Sequence, residues 1–503
     1  MKQTLKHLAL AMLVAGTIAI LRAPITHAAT ISVASGPDTT NVDSTCTLSE
    51  AITNINAGNA TAYPECTGTG AFGSTDTIIL PTGVITLGAD LPDITKAVTI
   101  EGAGVSNTTI NGGSQWAVFR VNNSAIDTVT IKKMKVKAFR EAVINTNSGG
   151  PNDLLNLQVS ELEVDGTDAV VGNDVVAGIQ MLSPGPGAHT LSVENVYIHD
   201  LKGAANGTVA GIMAGSANNT LTMNITNVTI SNLENTDAGS QAIAVINGPF
   251  SSMSPGNLQA NISNVTIDNI VSSTDIAAGI GVLSFVTGGD TTATINANAI
   301  TVRGINGQTN TMFPAGSSAV FIAGMAGAPS DSSTATINLT NALFVNNRLN
   351  GTPHNCGIFD LNSAFGGLGV LTATINSNGG NLSDDTTCSP YFTKSTDQNN
   401  LGTLGSTLGT LSNNGGFVPT IPLLQGSPAI DAGVTISGMT QDARFATRPQ
   451  GTAFDSGAYE SPFTKPQATL AGTGENLNMI VGIAALVTFG ALGVIIKTRK
   501  AAF

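Results

Sequence analysis

One pattern recurs through the middle of this 503-residue chain and decides what it can fold into. The segments "DTVTIKKMKV", "LNLQVSELEV", "HTLSVENVYI", "LTMNITNVTI", "LQANISNVTI", "TATINANAITV" and "ATINLTNALFV" share one design. Each joins an alternating apolar stretch to a second alternating triplet across a short polar break. The triplets begin at Val98, Met134, Leu162, Val196, Val228, Val265, Ile300 and Leu343, giving steps of 36, 28, 34, 32, 37, 35 and 43 residues. A motif at such a period means a stack of similar units. No unit buries its apolar side alone, so neighbours must share one core.

A third apolar piece precedes most of these pairs: "VVAGIQML", "TVAGIMAG", "QAIAVING", "AAGIGVLS", "SAVFIAGM". Alternation of apolar and polar residues is a strand signal, and no segment carries a helical period. Helical solenoids are therefore excluded. A propeller blade needs hairpin turns of the Asn-Gly type, which the breaks lack. The fold class expected is all-β, a right-handed parallel β-helix with three short strands per coil. Asn195, Asn227 and Asn264 hold one equivalent place; Asp200, Asn232 and Asn269 hold another, with Asn347 near it. Asparagine suits left-handed turns, and stacked amides bond from rung to rung. A carbohydrate-binding ladder is the functional alternative to that structural role.

Both ends of the chain are apolar for different reasons. Lys2 and Lys6 precede the apolar run 8–21, and the small-residue ending "THAA" follows Pro24. This is a secretory signal peptide, with cleavage after Ala28 or Ala29. At the other end, 479–496 is an uncharged run of 18 residues, followed by Lys497, Arg499 and Lys500. It is long enough to span a bilayer, and the basic tail places the body outside. Leu470, Ala471, Gly472, Thr473 and Gly474 precede it. They resemble the LPxTG sorting signal of sortase substrates, with Ala471 where that family has proline. The resemblance implies a sortase-like transpeptidase that cuts between Thr473 and Gly474 and joins the body to the cell wall. A plain membrane anchor is the alternative.

The net charge of the whole chain is −13; without the three bases of the signal, and the three bases and Glu475 near the tail, the body carries −18. Such acidity argues against nucleic acid as a partner. The four cysteines, Cys46, Cys66, Cys356 and Cys388, lie in the exported body, where disulfides form. Of three connectivities, pairing of neighbours is expected. No C-x-x-C spacing and few histidines speak for zinc.

"CTLSEAITNIN" (46–56) resembles the C-S-L-R-E-A-I-x-x-A-N motif that opens many secreted bacterial β-helix proteins. Cys46, Leu48, Glu50, Ala51, Ile52 and Asn56 match; Ser49 and Ile55 depart. "DTIILPTGVITLGADLPDITKAVTIEGAG" is similar to the first coils of pectate-lyase-like β-helices. "GGNLSDDTTC", "LSNNGGFVPTIPLLQGSPAIDAG", "QDARFATRP" and "DSGAYE" resemble the closing region of the choice-of-anchor Q type. The resemblance implies an envelope-displayed β-helix and no single activity. The resulting organisation is signal peptide 1–28, capping segment 29–75, coils 76–350, closing region 351–462, linker with sorting motif 463–478, membrane helix 479–496 and basic tail 497–503.

Candidate chemistry is sparse. A β-helix lyase needs clustered acids for calcium and a basic residue, and a glycosidase needs two converging carboxylates. The acids here read as scattered turn formers, Asp165, Asp200 and Asp268 among them. Asp431, Asp442, Arg444, Arg448, Asp455 and Glu460 read as ion pairs of an end cap. A calcium site there is the alternative, and no other cofactor is expected. Lys132, Lys133, Lys135, Lys137 and Arg140 form the one basic cluster, with Lys133, Lys135 and Lys137 on one strand face. An anionic glycan or wall polymer would suit it; a solvated outer face is the plainer reading. Trp116 would either stack on a sugar or plug the core. The functional expectation is a non-catalytic adhesin or display protein for a polysaccharide or a host or neighbouring cell. A polysaccharide lyase or glycoside hydrolase, and a passive structural surface protein, are the alternatives.

Overall fold

The structure is a computed structural model. It describes residues 28–465 except 74, 123–125, 147–153, 170–174, 183–185, 204–206, 249–253 and 310–317. The segments expected to be a signal peptide (as far as residue 27), a sorting motif (470–474), a membrane helix (479–496) and a basic tail (497–503) lie outside the described residues. No helix among the described residues is long and apolar enough to cross a membrane.

Strands dominate, and nearly all pairings between them are parallel, each strand lying on its equivalent in the next repeat. In the larger sheet, Ile126–Lys137, Leu154–Asp165, Ala188–His199, Thr220–Asn235, Asn257–Ser272 and Asp290–Gly307 stack in chain order. In the smaller sheet, Ala142–Thr146, Val176–Leu182, Val209–Ser216, Ser240–Asn247, Ala277–Val286 and Ser318–Ala326 do the same.

The long strands correct one expectation. In the repeats from 126 to 307 the two alternating segments are not separate short strands. They form one hydrogen-bonded strand with a corner at a single left-handed residue. Lys133, Glu161, Asn195, Asn227, Asn264, Ala299 and Asn341 occupy that column, all with φ between 50° and 61°. The corner shifts the alternation, so Ile225 and Val228 both point inward and are fully buried. A second column of left-handed residues holds Asp200, Asn232, Asn269, Gly304 and Asn346. The fifth member is Asn346, with Asn347 next to it as expected. Asn347 is buried one residue on, where its amide donates to Val302 O at 3.2 Å and Asn355 Oδ1 at 2.8 Å. Amides link three residues of each column: Asn227 to Asn195 and Asn264 to Asn227 at 3.2 Å, Asn232 to Asp200 and Asn269 to Asn232 at 3.0 Å.

Inward residues repeat by type. Val228, Val265 and Ile300 stack, as do Ile230, Ile267 and Val302, all fully buried. Each such side chain contributes about 1.5–3 kcal/mol by leaving water. The smaller sheet differs: Val209–Ser216, Ala277–Val286 and Ser318–Ala326 are buried on both faces. That explains their near-continuous apolar runs. Gly211 belongs here because a Cβ would lie 2.7 Å from Ala242 O and from Ile230.

The motif at 46–56 builds the N-terminal cap. Its helix, Leu48–Ala57, starts in a capping box between Thr47 and Glu50 and ends at left-handed Gly58. Glu50 is fully buried and also accepts the Asn41 N–H at 2.8 Å. Asn56 ties the helix to the first coils by donating to Asp93 O at 2.6 Å and accepting the Thr95 N–H at 2.9 Å. Both neighbour disulfides, Cys46–Cys66 and Cys356–Cys388, are present. Their loops of 20 and 32 residues make each worth about 3–4 kcal/mol in the chain-entropy model. Trp116 is half-buried and packs against the main core.

The closing region does more than cap an end. It runs back along the outside of the larger sheet. Thr229 Oγ1 donates to Pro419 O at 2.6 Å, and Asn264 Nδ2 donates to Gln441 O at 3.1 Å. Arg303 Nη1 donates to Gly409 O at 2.7 Å, and Thr301 Oγ1 accepts the Ala458 N–H at 3.0 Å. A second apolar cluster, including Leu343, Leu404, Ile421, Ile430 and Tyr459, glues it there.

Candidate functional site

The corner column divides the outer surface of the long strands into two halves. On the half before the corner, outward side chains form rows in strict register. Thr222, Gln259, Thr294, Thr336 and Thr374 make one row; Asn224, Asn261, Asn296, Asn338 and Asn376 make the next. The asparagines bond in series: Asn261 to Asn224 at 3.0 Å, Asn296 to Asn261 at 3.1 Å, Asn338 to Asn296 at 2.9 Å, and Asn376 to Asn338 at 3.0 Å. A flanking row, Thr220, Asn257, Thr292, Thr334 and Thr372, is of the same kind. None of these fifteen positions is charged, aromatic or aliphatic. A groove of about 410 Å³ bounds the array, between Thr226, Ser263 and Asn298 on one side and 436–442 on the other.

The half after the corner is charged in its early coils. The lysine cluster lies here, but its geometry differs from plain alternation. Lys133 sits at the left-handed corner with φ 61°, so Lys132, Lys133, Lys135 and Lys137 all lie on the outer side, around buried Met134 and Val136. Most of this charge is matched. Glu101 meets Lys132 at 3.1 Å and Lys133 at 2.7 Å. Lys135 meets Glu163 at 2.9 Å and Asp165 at 2.7 Å, and Arg140 meets Asp90 at 3.0 Å.

Two of the acids expected as scattered turn formers, Asp165 and Asp200, are instead gathered with Glu163 around His199. Register stacks Lys135, Glu163 and Tyr197 in one row and Lys137, Asp165 and His199 in the next. His199 bonds Asp200 at 2.6 Å and Glu163 at 3.4 Å, and its ring stacks on Tyr197 at 4.3 Å. Hydrogen bonding from His199 and Lys135 holds Glu163 below the usual range. Burial alone would raise Asp165, yet Lys135 and Thr167 bring it down to about 2. Burial opposes the charged form of His199, but Glu163 and Asp200 outweigh it and raise its pKa. Ligand atoms of Glu163, Asp165 and His199 lie within 4.8 Å of one another, a spacing that suits a metal ion. The Lys135 ammonium already stands against both carboxylates, so an ion there would have to displace it.

The acids expected in the closing region are all engaged. Arg448 pairs with Glu460 at 3.0 Å with both side chains fully buried. Arg444 pairs with Asp442 at 2.6 Å and lies 3.5 Å over the Tyr459 ring. Asp431 accepts the N–H groups of Thr452 and Ala453. Asp455 accepts from Asp431 and Ser461. Burial, then neighbouring Glu460, pushes Asp455 up to about 7. Compared with protein families, curated proteins and solved structures, the chain matches none.

Proposed function

We propose that this chain is an exported, C-terminally anchored surface protein that binds along its lateral face, as an adhesin or display protein. Its body is read as a right-handed parallel β-helix of the CSLREA-motif, choice-of-anchor Q type. The two halves of each long strand and one short strand make its three faces per coil, and crossovers between parallel strands are right-handed as a rule. The observation that carries the binding role is the uncovered, uncharged array of outward Thr and Asn, held in register over five coils. The segment 470–474, the apolar run 479–496 and the basic tail support attachment through a sortase-like transpeptidase. The ligand class proposed is a glycan, or the surface of a host or neighbouring cell.

The test uses residues 30–465 with acidic and neutral polysaccharides and calcium. New reducing ends, ultraviolet absorbance of unsaturated sugars and retention on each polymer are read together. Retention without cleavage is expected. A second reading, a polysaccharide lyase, rests on the cluster of Lys135, Glu163, Asp165, Tyr197 and His199. Cleavage that disappears in Lys135→Met would replace the adhesin reading by that one. A hydrolase is less favoured, because it needs a carboxyl kept protonated, and Glu163 and Asp165 are both shifted towards ionisation.

A further inference from the structure

We propose that the uncharged array is an ice-binding surface. The argument begins with its periodicity. Parallel strands repeat at about 4.7–4.9 Å, and alternate outward residues at about 6.4–6.8 Å along each strand. Hydroxyl and amide groups thus form a two-dimensional lattice across five coils, with no irregularity until Leu339/Thr340. A ligand that uses such a lattice must itself repeat in two directions.

The array is also rigid. The four serial bonds of the asparagine row fix each amide against its neighbours. Threonine has few χ1 options. Little side-chain entropy remains to be lost when an ordered surface docks. Each hydroxyl and amide both donates and accepts, as does each water of an ice surface. Threonine methyl groups between them offer apolar spots over which water orders.

Charge selects the occupant. In a body carrying −18, these rows are neutral. A charged side chain would hold its own hydration shell, which is costly to strip, and would interrupt an ordered water layer. The fit is therefore to a neutral lattice. A crystalline glycan is neutral too, but its rings present C–H faces between hydroxyls. The array has no aromatic ring to cover them. Water in its crystalline form donates and accepts at every lattice point and asks for no such platform.

This inference uses the lateral face proposed above but names a different ligand for it, so the two are read by separate assays. The experiment takes the full chain in detergent micelles, with micelles alone as control. Ice-crystal shaping, inhibition of recrystallisation and adsorption of labelled protein to a single-crystal ice surface are recorded, alongside retention on microcrystalline cellulose. Faceted crystals and adsorption to ice are expected from the unaltered chain. Thr294→Tyr, which lifts a ring above the plane, should abolish both, and so should Gln259→Lys at an exposed position. Lys202→Gln, at an exposed side chain outside the array, should leave both unchanged. Circular dichroism confirms that each variant is folded, and Gln259→Lys stands as the test if Thr294→Tyr is not. Unshaped ice with the unaltered chain overturns the proposal, as does full activity in a folded Gln259→Lys. Retention on cellulose without ice binding overturns it in favour of an ordered glycan and leaves the lateral-face reading standing. Ice binding without retention on any polysaccharide supports it and removes the glycan.

Discussion

The middle coils and the closing segment solve the same problem by opposite means. Around Thr220–Asn235 and Asn257–Ser272, apolar residues stack on apolar ones in register, and neutral amides link the coils in three separate rows. The closing segment has almost no regular strand. It is held by buried ion pairs, Arg448 with Glu460 and Arg444 with Asp442, and by carboxylates that collect backbone N–H groups. A repeat supplies each strand with a ready partner, so its hydrogen bonds are met locally. A segment that returns along the outside has none, and charged side chains terminate its backbone groups instead. The stability of 220–272 should therefore depend less on pH than that of the closing segment.

The largest effect should come from Arg448→Met. It leaves Glu460 buried without its counter-ion, at a cost of about 3–5 kcal/mol. Hydrogen exchange should show protection lost across 441–461 before any loss in 220–272. Simultaneous loss in both would mean that the two regions do not differ as described.

Next is pH. The Asp455 carboxyl is raised to about 7, above its ordinary value of 3.8. The folded state then binds more protons than the unfolded state between those values, so stability falls as pH rises through that window. Its contribution is fully present below about 4 and lost above about 7. Unfolding free energies of the closing segment, from denaturant titrations at pH 5 and pH 8, should differ by about a few kcal/mol at most. Asp455→Asn should flatten that slope, although it gives up one N–H acceptor. An unaltered slope would place the titration elsewhere.

A smaller effect tests the stack. Asn227 combines a left-handed backbone with two ladder bonds. Asn227→Ala should cost about 1–2 kcal/mol, mostly backbone strain. Asn227→Gly keeps the left-handed conformation at no steric cost, so it should lose less. Equal losses would assign the role to the amides rather than the corner.

The smallest effect is a gain. Ala299 holds the left-handed place between Asn264 and Asn341, and Asn264 Oδ1 is buried without a donor. Ala299→Asn would continue the ladder and should stabilise by about 0.5–1.5 kcal/mol. A thermal midpoint at or below that of the parent would show that the gap is not strained.

Much of this was legible in the residues. The step between triplets gave the stack, the polar breaks gave the corners, and cysteine proximity gave both disulfides. The cluster of Lys135, Glu163, Tyr197 and His199 was missed, although a signal existed. Lys135, Glu163 and Tyr197 each follow the first residue of a triplet, at Met134, Leu162 and Val196. Aligning triplets places them in one row; reading acids along the chain does not. The asparagine row was similarly available, since Asn224, Asn261, Asn296 and Asn338 each lie three residues before a corner residue.

What the sequence by itself determined is the alternation, and so which side chains point in and which point out. Alternation is a local property of extended backbone, and the left-handed corner resets it one residue at a time. Whether an outward residue meets solvent is not local. Thr229, Thr266 and Thr301 point outward like the threonines of the array, yet they are buried. They lie in the half of the face on which the closing segment settles; the Pro419 carbonyl that meets Thr229 is 190 residues away. Only the tertiary structure decided which rows stayed open, because cover depends on where a distant part of the chain finds partners for its own backbone.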